Sequence, residues 1–260
     1  MIKSRLCFVL LYYDNSFCIS RNFNLQKVGD IDWLMKNYDF EKILKVIDEL
    51  IILNINKSEK DENQYHTHFF DCLDKLLKKA FLPVSIGGSL RDFDNIKKLF
   101  NSGADKVVLN KSFYHNKELI KKIVDTYGSQ SLVASLDYTG SGLEKSQVMI
   151  DNGKNKNQLS VKECINIFNE LSVGELMVNS IDRDGLGYGY DFDTLEEISQ
   201  ICKMPIIAAG GADNDKELLK GISANFINAV STSHLFNFMG RGLEETRELM
   251  IKKGANLPLR

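Results

Sequence analysis

The sequence predicts an α/β chain folded as a (β/α)8 barrel, a TIM barrel, with all 260 residues (1–260) in a single barrel domain. Three observations carry this. Eight short apolar runs alternate with amphipathic stretches along the chain. The runs lack the inside/outside alternation of a half-exposed strand, as parallel strands buried on both faces should. The second half of the chain repeats the first, which marks a fold built of two half-barrels. A doubly wound open sheet fits the alternation but not the repeat.

In order, the strand runs are LCFVLLYY (6–13), LIILNI (50–55), PVSIGG (83–88), KVVLN (106–110), SLVASLD (131–137), ELMVNSI (175–181), PIIAAGG (205–211) and NFINAVS (225–231). Helical spacing of apolar residues appears at 70–81, 91–102, 117–128, 161–171, 192–203, 213–222 and 243–254. The repeat pairs 83–110 with 205–230: Pro, an apolar run, Gly-Gly, a helix, then another strand. Two polar segments, 54–68 and 138–157, are long for connections. They follow the second and fifth strands, so both belong at the C-terminal rim, where βα loops act as lids or substrate loops.

Composition excludes several classes. A net charge of −2 provides no basic field for nucleic acid. The first apolar run is too short to span a bilayer, and YYDN is a poor cleavage site for a signal peptide. Cys7, Cys18, Cys72, Cys164 and Cys202 form no CxxC pair and read as free thiols in a reducing cytoplasm. His66 and His68 lie in a polar loop without a cysteine or carboxylate pattern to complete a metal site, and His115 begins a helix. No metal and no cofactor are expected.

The chemistry gathers at strand ends. Gly87-Gly88-Ser89 and Gly210-Gly211 each close a strand before a helix, where backbone N–H groups can receive a phosphate. Tight turns explain each pair alone equally well; the repeat makes them a matched set for a ligand with two anionic ends. Asp137 ends the fifth run, a position suited to acid/base work or to a loop cap. SIDRDG (180–185) crowds Asp182, Arg183 and Asp184 before Gly185, more charge than a structural turn needs.

GSQSLVASLD, ELMVNSIDRDG, PIIAAGGA, SIGGSLRDF and GADKVVLN together resemble the cyclase subunit of imidazole glycerol phosphate synthase, the HisF family, over nearly the whole chain. The resemblance implies a barrel paired with a class I glutaminase, HisH-like, whose ammonia crosses the barrel to react with a bisphosphorylated ribulosyl nucleotide. It places the family's second catalytic aspartate on Asp137 and keeps Asp184 beside it. It places the first on Leu11, where no carboxylate stands, a family lysine near Ile19, and an acid on Asn54. Phosphate positions fall on Gly88, Ser89, Asn110, Lys111, Gly185, Gly210, Gly211, Ser233 and His234. Of these, Ser89, Lys111 and His234 depart from the family types. At the other end of the barrel all four residues of the ammonia gate match: Arg5, Glu49, Lys106 and Glu175, each just ahead of a strand's apolar run. Asp105 matches a glutaminase contact.

An intact gate under an altered top is the pattern of a HisF-like branch that serves surface-polysaccharide synthesis. There the pair supplies ammonia to a sugar amidotransferase that turns an acetamido group into an acetamidino group. The resemblance also leaves open an ordinary histidine-pathway cyclase and a non-catalytic activator of the glutaminase.

Overall fold

The computed structural model describes residues 3–37, 40–56, 62–233 and 242–258. Eight parallel strands close on themselves: β1 (Arg5–Tyr13), β2 (Glu49–Asn54), β3 (Val84–Gly87), β4 (Lys106–Leu109), β5 (Leu132–Thr139), β6 (Glu175–Ser180), β7 (Ile206–Ala209) and β8 (Ala229–Thr232). Each pairs with the next in sequence. Arg5 of β1 lies opposite Ala229 of β8, and that pairing completes the barrel. The predicted (β/α)8 architecture is therefore the observed one.

Alternate residues of each strand point in opposite directions, and the apolar runs fill both sides. One set faces the helices in a large shell that includes Leu6, Phe8, Leu10, Leu50 and Ile52. The other fills the barrel interior with Cys7, Val9, Ile51, Val108, Val133, Met177, Ile207, Ala209 and Ala229, and Leu11 and Leu53 pack against it. This is why the runs lack alternation. All five cysteines are free, and four are buried.

Boundaries moved in a few places. The eighth strand starts at Ala229 rather than 225, because Ala224–Asn228 turns to bring the Asn228 N–H onto the Ile206 carbonyl. The fifth strand runs past Asp137 to Thr139, paired antiparallel with Gln147–Ile150. That strand pairs in turn with Asn155–Ser160, so most of segment 138–157 is a hairpin rather than an open loop. A second hairpin, Ser16–Arg21 with Asn24–Gly29, rises from β1. The second half of segment 54–68 belongs to a helix, Glu62–Leu77. His115 ends the short helix Ser112–His115 rather than beginning one, since Asn116 caps the next. No helix among the described residues is long and apolar enough to cross a membrane.

Candidate active site and barrel base

At the base, the four residues that precede their strands' apolar runs meet in one ring. Arg5 donates to Glu49 Oε2 and to Glu175 Oε1, both at 2.5 Å. Lys106 Nζ lies 3.0 Å from Glu49 Oε2 and 2.7 Å from Glu175 Oε2. Ser85 Oγ adds a hydrogen bond to Glu49 Oε1 at 2.5 Å. Cation and anion alternate around the ring, so each charge has two opposite neighbours. Glu49 is fully buried, while Arg5, Lys106 and Glu175 keep 22, 15 and 13% of their side chains open. Burial lowers the Arg5 pKa, but Glu49 and Glu175 outweigh it, and the guanidinium stays charged. Cys7 sits just inside the ring. Burial, and then Glu49, push its thiol well above its usual value, which favours the protonated thiol over the thiolate. Asp105 is exposed at this end and accepts the Val84 N–H at 2.8 Å, which fixes the start of β3.

Above the ring the interior is apolar up to the C-terminal rim. There it opens into a pocket of about 1320 Å3 lined by Leu11, Leu53, Asn54, Asn110, Asp137 and Asn179, among others. Asp137 points into this pocket from β5. It accepts Asn110 Nδ2 at 2.8 Å and Ser135 Oγ at 3.3 Å. Burial raises its pKa to about 7, against the opposing hydrogen bonds from Ser135 and Asn179. Such a carboxyl can both give and take a proton near neutral pH. Leu11 lines the same pocket from β1. Asp14, the nearest acid in sequence, is exposed and pairs with Lys27. It therefore does not replace a carboxylate at Leu11.

The SIDRDG cluster performs structural tasks. Asp182 accepts the Gly140 N–H at 2.7 Å. Arg183 donates to the carbonyls of Tyr188 and Gly189. Asp184 Oδ2 accepts Ser20 Oγ at 2.5 Å and the Phe23 N–H at 3.1 Å, and its carbonyl accepts the Asn22 N–H. Asp184 thus ties the hairpin of β1 to the loop after β6. Its carboxyl, raised by burial and lowered by those two bonds, still borders the pocket.

The glycine pairs have a structural reason of their own. Gly88 has φ +96°, and a Cβ there would overlap the Asn54 carbonyl oxygen. Gly211, at φ +114°, packs as tightly on the Gly189 carbonyl. Ser89 holds a left-handed φ of +53° and donates Oγ to the Asn56 carbonyl at 2.6 Å. Gly88, Ser89, Asn110, Lys111, Gly185, Gly210, Gly211 and Ser233 all border the pocket. His234 lies outside the described residues. Sequence reasoning missed Arg91 and Asp213, which also line it. Asp213 follows a Gly-Gly pair by two residues, and that position was the available signal.

Comparison with known proteins uses the same residues. A family model described as "Histidine biosynthesis protein" matches residues 22–239. A protein of Parasynechococcus marenigrum named "Putative imidazole glycerol phosphate synthase subunit hisF2" is 41% identical over 248 residues, 95% of this chain and 90% of the relative. The chain belongs to the HisF family. The HisF subunit of Dictyoglomus turgidum is 30% identical over 231 residues, covering 89% of this chain and 88% of its own. That of Chlorobium phaeobacteroides is 32% identical over 215 residues, 83 and 84% of the two chains. In this chain a charged ring closes the base of the barrel, and Asp137 and Leu11 both line the pocket at the top.

Proposed function

We propose that this HisF-family barrel is the ammonia-conducting subunit of a glutamine amidotransferase. A class I glutaminase docks at the base, beside Asp105, and releases ammonia at the ring of Arg5, Glu49, Lys106 and Glu175. The closed salt bridges keep water and ions out until the partner shifts them. Neutral ammonia then crosses the apolar interior, which offers a charged species no hydrogen-bond partner. The acceptor chemistry is the condensation of ammonia with the acetamido carbonyl of a surface-polysaccharide sugar to an acetamidino group, the oxygen leaving as water, completed with a sugar amidotransferase over the C-terminal rim.

Leu11 is the single observation that carries this reading. Cyclisation as the family runs it needs two carboxylates at the pocket, and a leucine side chain cannot transfer a proton. Asp137 remains at the pocket with its pKa raised by burial to about 7, and Asp184 positions the loop. The relatives' names support a second reading, the histidine-pathway cyclase itself. Complementation of a cyclase-deficient strain separates the two. The favoured reading expects no growth without histidine from the natural sequence and measurable cyclase activity from Leu11→Asp. Rescue by the natural sequence sinks it. A pure activator of the glutaminase is distinguished by Asp137→Asn, which then leaves flux into the sugar product unchanged.

A further inference from the structure

The ring at the base is set by the residues just before it. At three places among the described residues, the residue ahead of a strand grips the start of the previous strand through both its backbone and its side chain. Asp48 donates its N–H to the Leu6 carbonyl at 2.8 Å and accepts the Leu6 N–H on Oδ2 at 2.9 Å. Asp105 does the same to Val84, at 2.8 Å each way, and Asn228 to Ile206, at 2.9 Å each way. Asp48 precedes Glu49 and Asp105 precedes Lys106, so two of these grips carry ring members directly behind them. The grip on Leu6 also lies one residue past Arg5. It therefore fixes the offset of β1 against β2 at the level where Arg5 meets Glu49.

The Asp48 grip has an addition. Asp105 is exposed, whereas Asp48 is buried, and an isolated charge there would be costly. Arg247, in the last helix (Gly242–Lys252), supplies the opposite charge as a two-pronged pair. Its Nη1 lies 2.9 Å from Oδ2 and its Nη2 2.9 Å from Oδ1. A planar fork on both oxygens holds the carboxylate in one orientation, the one that accepts the Leu6 N–H. The same guanidinium donates to the carbonyl of Val46 ahead of β2, at 2.8 Å, and to that of Pro258 in the C-terminal tail, at 2.7 Å. The tail also reaches β1, where the Asn256 carbonyl accepts the Ser4 N–H at 2.9 Å. The N–H groups of Ser4, Arg5 and Leu6 are thus pinned to Asn256, Asn228 and Asp48 in turn. The two that flank Arg5 are held by the C-terminal segment, directly or through Arg247.

We propose that Arg247 and Asp48 are positioning residues for the ring: through them the last helix and the C-terminal tail hold Arg5 against Glu49 and keep the base shut. Neither side chain is a member of the ring. Without the pair, β1 is free to shift against β2, and the Arg5–Glu49 contact opens first because its two partners sit on those strands. The inference rests on the proposed function only in reading the ring as a gate.

Cys7 is a built-in reporter of that opening. It is fully buried just inside the ring, while Cys164 is fully buried in the helical shell, on the helix Val161–Glu170. Labelling of the full chain with methyl methanethiosulfonate, followed cysteine by cysteine by mass spectrometry, separates local opening at the base from loosening of the whole fold. Asp48→Ala and Arg247→Met should each quicken labelling of Cys7 by about tenfold and leave Cys164 at its natural rate. Unchanged labelling of Cys7 in either variant, or Cys7 and Cys164 quickening together, overturns the inference. In the second case the pair supports the fold and not the ring. Calorimetry of the natural protein with a class I glutaminase reports separately on the proposed function. No binding there defeats that reading and leaves the Cys7 result standing.

Discussion

At the scale of single residues, Asp137 and Glu49 show how the two ends of the barrel differ. Asp137 is held with its pKa raised to about 7 from an unfolded value of 3.8. Between those values the folded state binds the proton more tightly than the unfolded state does. Stability therefore falls as pH rises from about 4 to about 7 and stays reduced above that range. The whole effect is at most roughly 4 kcal/mol. Asp137→Asn keeps the shape and removes the ionisation. Urea unfolding at pH 8 should show a more stable variant, and its advantage should shrink toward pH 4. Equal stability at both pH values would mean that Asp137 is not held protonated. Glu49 poses the reverse case, since it is fully buried and satisfies Arg5 and Lys106 together. Glu49→Gln leaves two cations facing Glu175 alone. Loss of one member of such a buried network costs about 3–5 kcal/mol, read as a lower urea midpoint at an unchanged slope.

At the scale of elements, the hairpins decide what the sequence disclosed. The strands were legible because eight buried runs cannot be read as anything but barrel or open sheet, and the repeat chose between them. The hairpins were not, because 16–29 and 147–160 hold only short buried apolar pieces, Phe17-Cys18 and Val148-Met149, in otherwise largely polar, partly exposed sequence. Their turns did carry a signal. Asp14-Asn15 has φ of 45° and 57°, Asn22-Phe23 of 47° and 60°, and Asp151-Asn152 of 55° and 58°. These left-handed pairs are the tight turns that hairpins favour, and Asx residues supply most of them. The local sequence also overstated chemistry in SIDRDG. Three charged residues in four looked functional, yet each is engaged in holding loops whose positions no linear motif reveals. Asp184→Ala tests that assignment. Without an acceptor for Ser20 Oγ and the Phe23 N–H, amide exchange should quicken across 16–29 while the barrel strands keep their protection. Exchange that rises evenly through the chain would instead make Asp184 a global support.

For the whole molecule, the argument turns on a division of labour along the barrel axis. The base is a neutral, alternating ring of two cations and two anions, the interior is apolar, and the rim carries Asp137, a carboxyl raised by burial to about 7. If ammonia travels this axis, damage at the base and damage at the rim must separate when the nitrogen source changes. Lys106→Ala and Arg5→Ala should abolish sugar amidation driven by glutamine, because delivery from the glutaminase fails. The same variants should keep most of the activity driven by ammonium chloride, which enters from the open rim. Asp137→Asn should lose activity with either source if the carboxyl takes part in the transfer. Interior packing offers an intermediate case. Ala229→Met adds three heavy atoms above the ring, with an overpacking penalty of about 1–3 kcal/mol. It should also lower the glutamine-driven rate more than the ammonium-driven one, while the glutaminase continues to hydrolyse glutamine. Equal losses with both nitrogen sources across the base and interior variants would mean that ammonia reaches its acceptor by another route.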